Sequence, residues 1–281
     1  MAMKEKDRKR KDKENYRRRI RRTRFWRRHG NAISIVLMVG LAVASLFVAM
    51  LWRAHQDEKE RKENAKAAYE MPAGDGFSVS PVLLEPSMIP DRAQGDYVIL
   101  NDNVPGFNLY DLQHFTGESY TSLDALGRCG PATAMLHRSM MPKEERGEIG
   151  EIKPTGWVQR KYEGLVDSTP PYLYNRCHLI AFALTGQNAN ERNLITGTRH
   201  FNKAAMLPFE IQVMEYLEKT DNHVLYRVTP YFRGKELLAR GVEMEAYSVE
   251  DRGLGICFHV FVYNMQPGVT LDYATGESHA D

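Results

Sequence analysis

The chain has 281 residues, 43% of them hydrophobic, which supplies enough apolar material for one large or two modest folded domains and excludes disorder throughout. Its three cysteines, 48 and 80 residues apart, exclude a disulfide-framed mini-protein and offer no CxxC pair for a zinc ribbon. The formal charge of +2 conceals a sharp segregation: residues 1–29 hold fifteen Lys/Arg against four Asp/Glu, so this tail carries +11 and the remainder −9.

The first predicted element follows that tail. Ala32 to Trp52 is a charge-free run of twenty-one residues, AISIVLMVGLAVASLFVAMLW. At about 1.5 Å per residue it matches the roughly 30 Å hydrocarbon core of a bilayer, and it lacks the polar face of a helix packed in a soluble domain. It is longer than the apolar region of a cleaved signal peptide, and no small-x-small site follows it, so an uncleaved anchor is expected. The basic residues precede the span, whereas RAHQDEKERKENAK after it is nearly balanced. Lys and Arg stay on the cytoplasmic side, which predicts a single-pass protein with its N-terminus inside and about 230 residues outside. The lipid bilayer is thus a partner of residues 32–52, and anionic lipid the simplest partner of the tail.

Residues 53–95 read as a charged stalk followed by a Gly/Pro/Ser-rich linker. The expected organisation is a basic cytoplasmic tail (1–31), a transmembrane helix (32–52), a stalk (53–95) and an extracytoplasmic domain (96–281). Within that domain β-branched and aromatic runs predict strands at Tyr97–Leu100, Val224–Phe232, Val242–Val249 and Ile256–Tyr263, the last three as an antiparallel meander. Met206, Phe209, Val213 and Leu217 fall at 3-4-4 spacing and predict one buried helix face. Strands and helices together make an α+β domain.

Metalloprotease HExxH, P-loop and Rossmann motifs are absent. The chemically informative stretch is 172–202, YLYNRCHLIAFALTGQNANERNLITGTRHFN, which orders strand, Asn-rich loop, strand and helix. His178 titrates near neutral pH and suits a general base, Arg176 can neutralise an anion, and an Asn carbonyl is a hard ligand for a cation. Together they suit hydrolysis of a phosphodiester, whose attacking water must lose a proton and whose transition state needs positive charge. Taken alone, the same residues also fit a structural histidine beside a turn.

This stretch resembles the core of the DNA/RNA non-specific endonucleases, the ββα-metal or His-Me finger nucleases whose signature is Asp-Arg-Gly-His, and especially the membrane-anchored DNA-entry type of Gram-positive bacteria. Asn175, Arg176, Cys177 and His178 stand at the signature, Asn193-Leu194-Ile195 at the second finger strand, and Asn202 at the helical metal-binding Asn. The resemblance extends from about Asp96 to the C-terminal GVTLDYATGES. It implies a ββα-metal core with an antiparallel sheet, preceded by the single transmembrane helix. It further implies His178 as general base, Arg176 as a phosphate contact, Asn175 beside them, and Asn202 as the direct ligand of a mostly hydrated Mg²⁺, which Mn²⁺ can replace. Asn193 would steady that site, and Glu210 matches an acidic residue of the outer metal shell. The substrate implied is DNA, and RNA as well, cut to leave a 5′-phosphate, with DNA-uptake machinery as a further partner.

Asn175 and Cys177 depart from the signature's Asp and Gly, and Pro208 between Asn202 and Glu210 predicts a helix that kinks or starts late. The departures keep a second reading open, a catalytically weak surface receptor that binds DNA for uptake. Residues 96–281 carry a net −7, but Val158–Lys203 holds six basic residues against three acidic ones, which predicts a local basic groove. A Cys177/His178 peptidase dyad is disfavoured because neighbouring side chains on a strand point to opposite faces.

Overall fold

The computed structural model describes residues 95–281 continuously, together with Arg18, Met50, Trp52, Arg53, Gln56 and Lys59, which are helical. Apart from these, the basic tail, the apolar run 32–52 and the stalk lie outside the described residues. Among the described residues no helix is long and apolar enough to cross a membrane. The chain divides into two units, Met1–Lys59 and Glu60–Asp281, and the second holds the folded domain.

That domain is α+β. Six antiparallel strands form its main sheet: β1 (Tyr97–Ile99), β2 (Glu118–Tyr120), β3 (Ala132–Leu136), β6 (Val224–Tyr231), β7 (Gly241–Ser248) and β8 (Cys257–Tyr263). Their spatial order is β1-β8-β7-β6-β3-β2, so the meander expected from Val224 onward forms its centre. β2 and β3 were not expected from the sequence. Their short runs, ESY and ATAML, lack a β-branched or aromatic pattern; β3 is held as a strand by pairing to β6, and β2 by pairing to β3. A second ribbon pairs β4 (Tyr174–His178) with β5 (Leu194–Thr198), and a third pairs β9 (Val269–Leu271) with β10 (Ser278–Ala280).

The three central strands are buried along both faces. On one face, Val224, Tyr226 and Val228 join Val242, Met244, Ala246, Phe258, Val260 and Val262 in the main core. Two short helices, α1 (Leu109–His114) and α2 (Phe182–Thr185), precede α3 (Leu207–Lys219), which lays Phe209, Val213 and Leu217 on this core, with Met206 just ahead of it, as the 3-4-4 spacing predicts. Each such side chain contributes roughly 1.5–3 kcal/mol when taken from water. Cys177, Ile195 and Phe201 belong to the same core, so the β4–β5 ribbon is seated by the central sheet rather than hanging from it.

The other face carries charge. Glu243, Glu245 and His259 lie there, and Arg227 donates to Glu245 Oε2 at 2.7 Å. His259 meets two acceptors, the Val104 carbonyl at 3.0 Å through Nδ1 and Glu243 Oε1 at 2.5 Å through Nε2. Each contact needs a proton on the ring, so His259 is an imidazolium; burial opposes that charge, and Glu243 and Glu245 outweigh burial and raise its pKa. Two carboxylates face two cations here. The balanced quartet holds down residues 104–106, whose Gly106 N–H donates to Glu245 Oε1 at 2.7 Å.

Candidate active site

The ribbon sets the site. β4 and β5 pair with Arg176 opposite Thr196 and His178 opposite Leu194, so Arg176 and His178 share one face. Cys177 points to the other face, fully buried, and its thiol is raised in pKa chiefly by that burial. A nucleophilic thiolate paired with His178 is therefore excluded on geometry and on protonation. The space for Cys177 comes from across the ribbon: a Cβ at Gly197 would lie 2.5 Å from Cys177 Sγ and 2.6 Å from Phe201. Positive φ among the described non-glycine residues is confined to Asn101, Asp102, Asn103 and Arg252, so the backbone at Cys177 carries a Cβ without strain.

His178 is buried, and its Nε2 lies 2.9 Å from the main-chain carbonyl of Asn188. A carbonyl only accepts, so Nε2 carries the proton and Nδ1 presents a lone pair. Facing Nδ1 at 3.4 Å is Nη2 of Arg146, a residue 32 positions upstream in an exposed loop. Burial lowers the His178 pKa below its ordinary value; the Asn188 carbonyl opposes this and the Arg146 cation reinforces it. The ring is thus a neutral base of fixed tautomer beside a permanent cation. The sequence reading missed both partners, since a backbone carbonyl has no residue signature and Arg146 sits in a Glu- and Gly-rich loop without a motif.

Arg176 is more committed than expected. Its Nε donates to the Ile152 carbonyl, a second nitrogen donates to the Gly150 carbonyl, and the guanidinium stacks 4.3 Å over the Trp157 ring. These bonds tie residues 150–157 to β4. Asn175 pairs across to Gly197, half-buried, and its amide makes no hydrogen bond among the described residues.

The Asn-rich loop divides its labour. Asn188 supplies the carbonyl for His178, and Asn190 accepts from Arg192 N at 3.1 Å to cap a short 3₁₀ turn over Glu191–Asn193. Asn193 is wholly buried, with Oδ1 accepting from Ile180 N and Nδ2 donating to Ile180 O, both at 2.9 Å. Its amide braces the chain just beyond His178, so any support it lends a metal is through that brace.

Asn202 lies in a π-helical turn, Phe201–Met206, that runs into α3. The segment is already helical from Arg199, so Pro208 does not delay its start as the sequence predicts; it sits in the first turn of α3, where the wide turn before it absorbs the missing bond. The turn is anchored by Thr198, whose Oγ1 accepts from Phe201 N at 3.0 Å. Asn202 is half-exposed, and its amide has no hydrogen-bond partner among the described residues. Glu210, on the next helical turns, has its carboxyl raised to about 7 by burial, with only the Lys203 charge opposing. A buried carboxyl short of positive charge and an uncommitted amide on one helical segment suit a hard divalent cation. The other group of ligand-type side chains among the described residues, Glu243, Glu245 and His259, is already balanced by Arg227.

A cavity of about 260 Å³ borders β5 at Leu194 and Ile195, with Glu151, Lys153 and Glu191 on its walls.

The comparisons agree with this geometry. A family model described as DNA/RNA non-specific endonuclease matches residues 109–250, which span the ribbon, α3, β6 and β7. A deoxyribonuclease of Streptococcus dysgalactiae subsp. equisimilis is 33% identical over 111 residues, 37% of this chain and 32% of that protein. The chain therefore matches about a third of the length of that relative. The crystal structure of NucA from Streptococcus agalactiae with no metal bound superposes with a TM-score of 0.58 at 26% identity, covering 70% of this chain and 92% of that one. The magnesium-bound form of NucA gives a TM-score of 0.56 at 28% identity, covering 65% of this chain and 86% of that one.

Proposed function

The chain belongs to the DNA/RNA non-specific endonuclease family, and from that premise we propose that it is a divalent-metal-dependent endonuclease that hydrolyses phosphodiester bonds of DNA and of RNA. The observation that carries the reading is the His178 ring, with Nε2–H committed to a carbonyl and the Nδ1 lone pair turned toward a cation.

His178 Nδ1 takes the proton of the attacking water, and the Asn188 carbonyl holds the ring in place and stabilises the imidazolium that forms. Arg146 draws a phosphate oxygen to the side of the ring where the base acts, and its fixed charge offsets the negative charge gained in the pentacoordinate transition state. Asn202 and Glu210 would hold Mg²⁺, which supplies positive charge to the phosphate and the departing oxygen. Among the described residues no cluster of carboxylates surrounds His178, which favours one ion over two, and so few protein charges predict weak binding, with Mn²⁺ able to substitute. Arg176 keeps the 150–157 loop against β4, and the basic residues of 158–203 supply sequence-independent attraction to the backbone.

The test is direct. The full chain, purified in detergent, is expected to nick supercoiled plasmid with millimolar Mg²⁺ and to stop when EDTA is in excess. Plasmid left intact but retained by the protein would instead mark a DNA receptor.

We further place the enzyme at the cell membrane through residues 32–52, with the domain outside. The support is the charge-free run and the +11 tail. Protease added to wall-stripped cells is expected to remove a C-terminal tag and spare an N-terminal one; a protected C-terminal tag would reverse the orientation.

A further inference from the structure

Arg146 reaches His178 from a loop with few anchors. Residues 143–148 are exposed, and among the described residues their main chain makes no hydrogen bond. Something other than backbone bonding must register the guanidinium opposite Nδ1. The neighbour of Arg146 supplies it. Gly147 packs so closely on the side chain of Asn188 that a Cβ built on it would stand 2.8 Å from Asn188 Nδ2. Asn188 is also the residue whose carbonyl fixes His178 Nε2. Its side-chain amide makes no hydrogen bond among the described residues, and its buried Oδ1 has no partner, a state that costs about 1–3 kcal/mol, so packing alone holds it in place.

We propose that Asn188 and Gly147 are a positioning pair that sets both sides of the catalytic ring at once. The Asn188 main chain orients one ring nitrogen, and its side chain, through contact with Gly147, fixes how close Arg146 comes to the other. A Cβ at 147 meets the end of the Asn188 side chain, so either that amide or the loop must give; on this proposal the unanchored loop gives and withdraws the cation with it. This inference rests on the nuclease reading, and it assigns a role to two residues that touch neither substrate nor metal.

The experiment measures kcat and KM of the full chain on DNA. Gly147→Ala is expected to lower kcat by about 10–10²-fold, the scale of a misplacement near 1 Å, with KM changed less than twofold and the melting temperature unchanged. The same substitution made in an Arg146→Ala background is expected to cost nothing further, since the group it misplaces is gone. Adding Asn188→Ala to Gly147→Ala removes the clash and is expected to return kcat to that of Asn188→Ala alone, a rescue that a general loss of fold would not show. Full kcat in Gly147→Ala, an equal loss with and without Arg146, or no rescue by Asn188→Ala would each overturn the pairing while leaving the nuclease reading intact. Absence of cleavage by the unmodified chain would overturn both.

Discussion

His178→Ala is expected to lower turnover by roughly 10²–10⁴ while DNA binding and the melting temperature stay close to those of the unmodified chain. The Asn188 carbonyl holds the proton on Nε2, which leaves the Nδ1 lone pair, faced by the Arg146 guanidinium, as the proton acceptor. Removing the ring takes away the proton acceptor without removing Arg146 or Asn202. Imidazole added to the variant should restore part of the rate. The pH profile gives an independent check. Burial, with the Arg146 cation assisting, depresses the pKa, so the base stays neutral to lower pH than a free imidazole. The acid limb of kcat/KM should therefore fall below pH 6.5, the ordinary value. A limb above that value, or undiminished turnover in His178→Ala, would remove His178 as the base.

Asn202→Ala should lower cleavage by about 10³-fold or more, equivalent to several kcal/mol of transition-state stabilisation, with the melting temperature unchanged. Its amide is bonded to nothing among the described residues, so the fold does not depend on it. Asn193→Ala should show the reverse pattern. That amide bonds both main-chain groups of Ile180 in the buried interior, and leaving them unpaired costs about 1–3 kcal/mol for each. Lost stability with residual Mg²⁺-dependent activity is the outcome expected for Asn193→Ala. An active Asn202→Ala enzyme, or a melting temperature untouched by Asn193→Ala, would exchange or cancel these roles, and a direct titration of Mg²⁺ against each variant would show which.

The sequence by itself determined what depends on local pattern. The runs at 224–232, 242–249 and 256–263 become adjacent strands because their β-branched and aromatic residues are buried on both faces of a sheet. The 3-4-4 spacing from Met206 to Leu217 fixes which side of α3 meets the core. The order of Arg176, His178, Asn193 and Asn202 was enough to identify the finger, because the ribbon and helix that carry them are consecutive in the chain. Only the tertiary structure decided which of these similar polar residues has atoms left to do chemistry. Asn193 and Asn202 are the same residue nine positions apart, but one spends its amide on Ile180 and the other spends nothing. Arg176 stands in the signature, yet its donors hold a loop, while Arg146, outside any motif, faces the base. The difference is set by hydrogen-bond partners that lie 10 to 32 residues away and are often main-chain carbonyls, groups every residue possesses and no local pattern can single out.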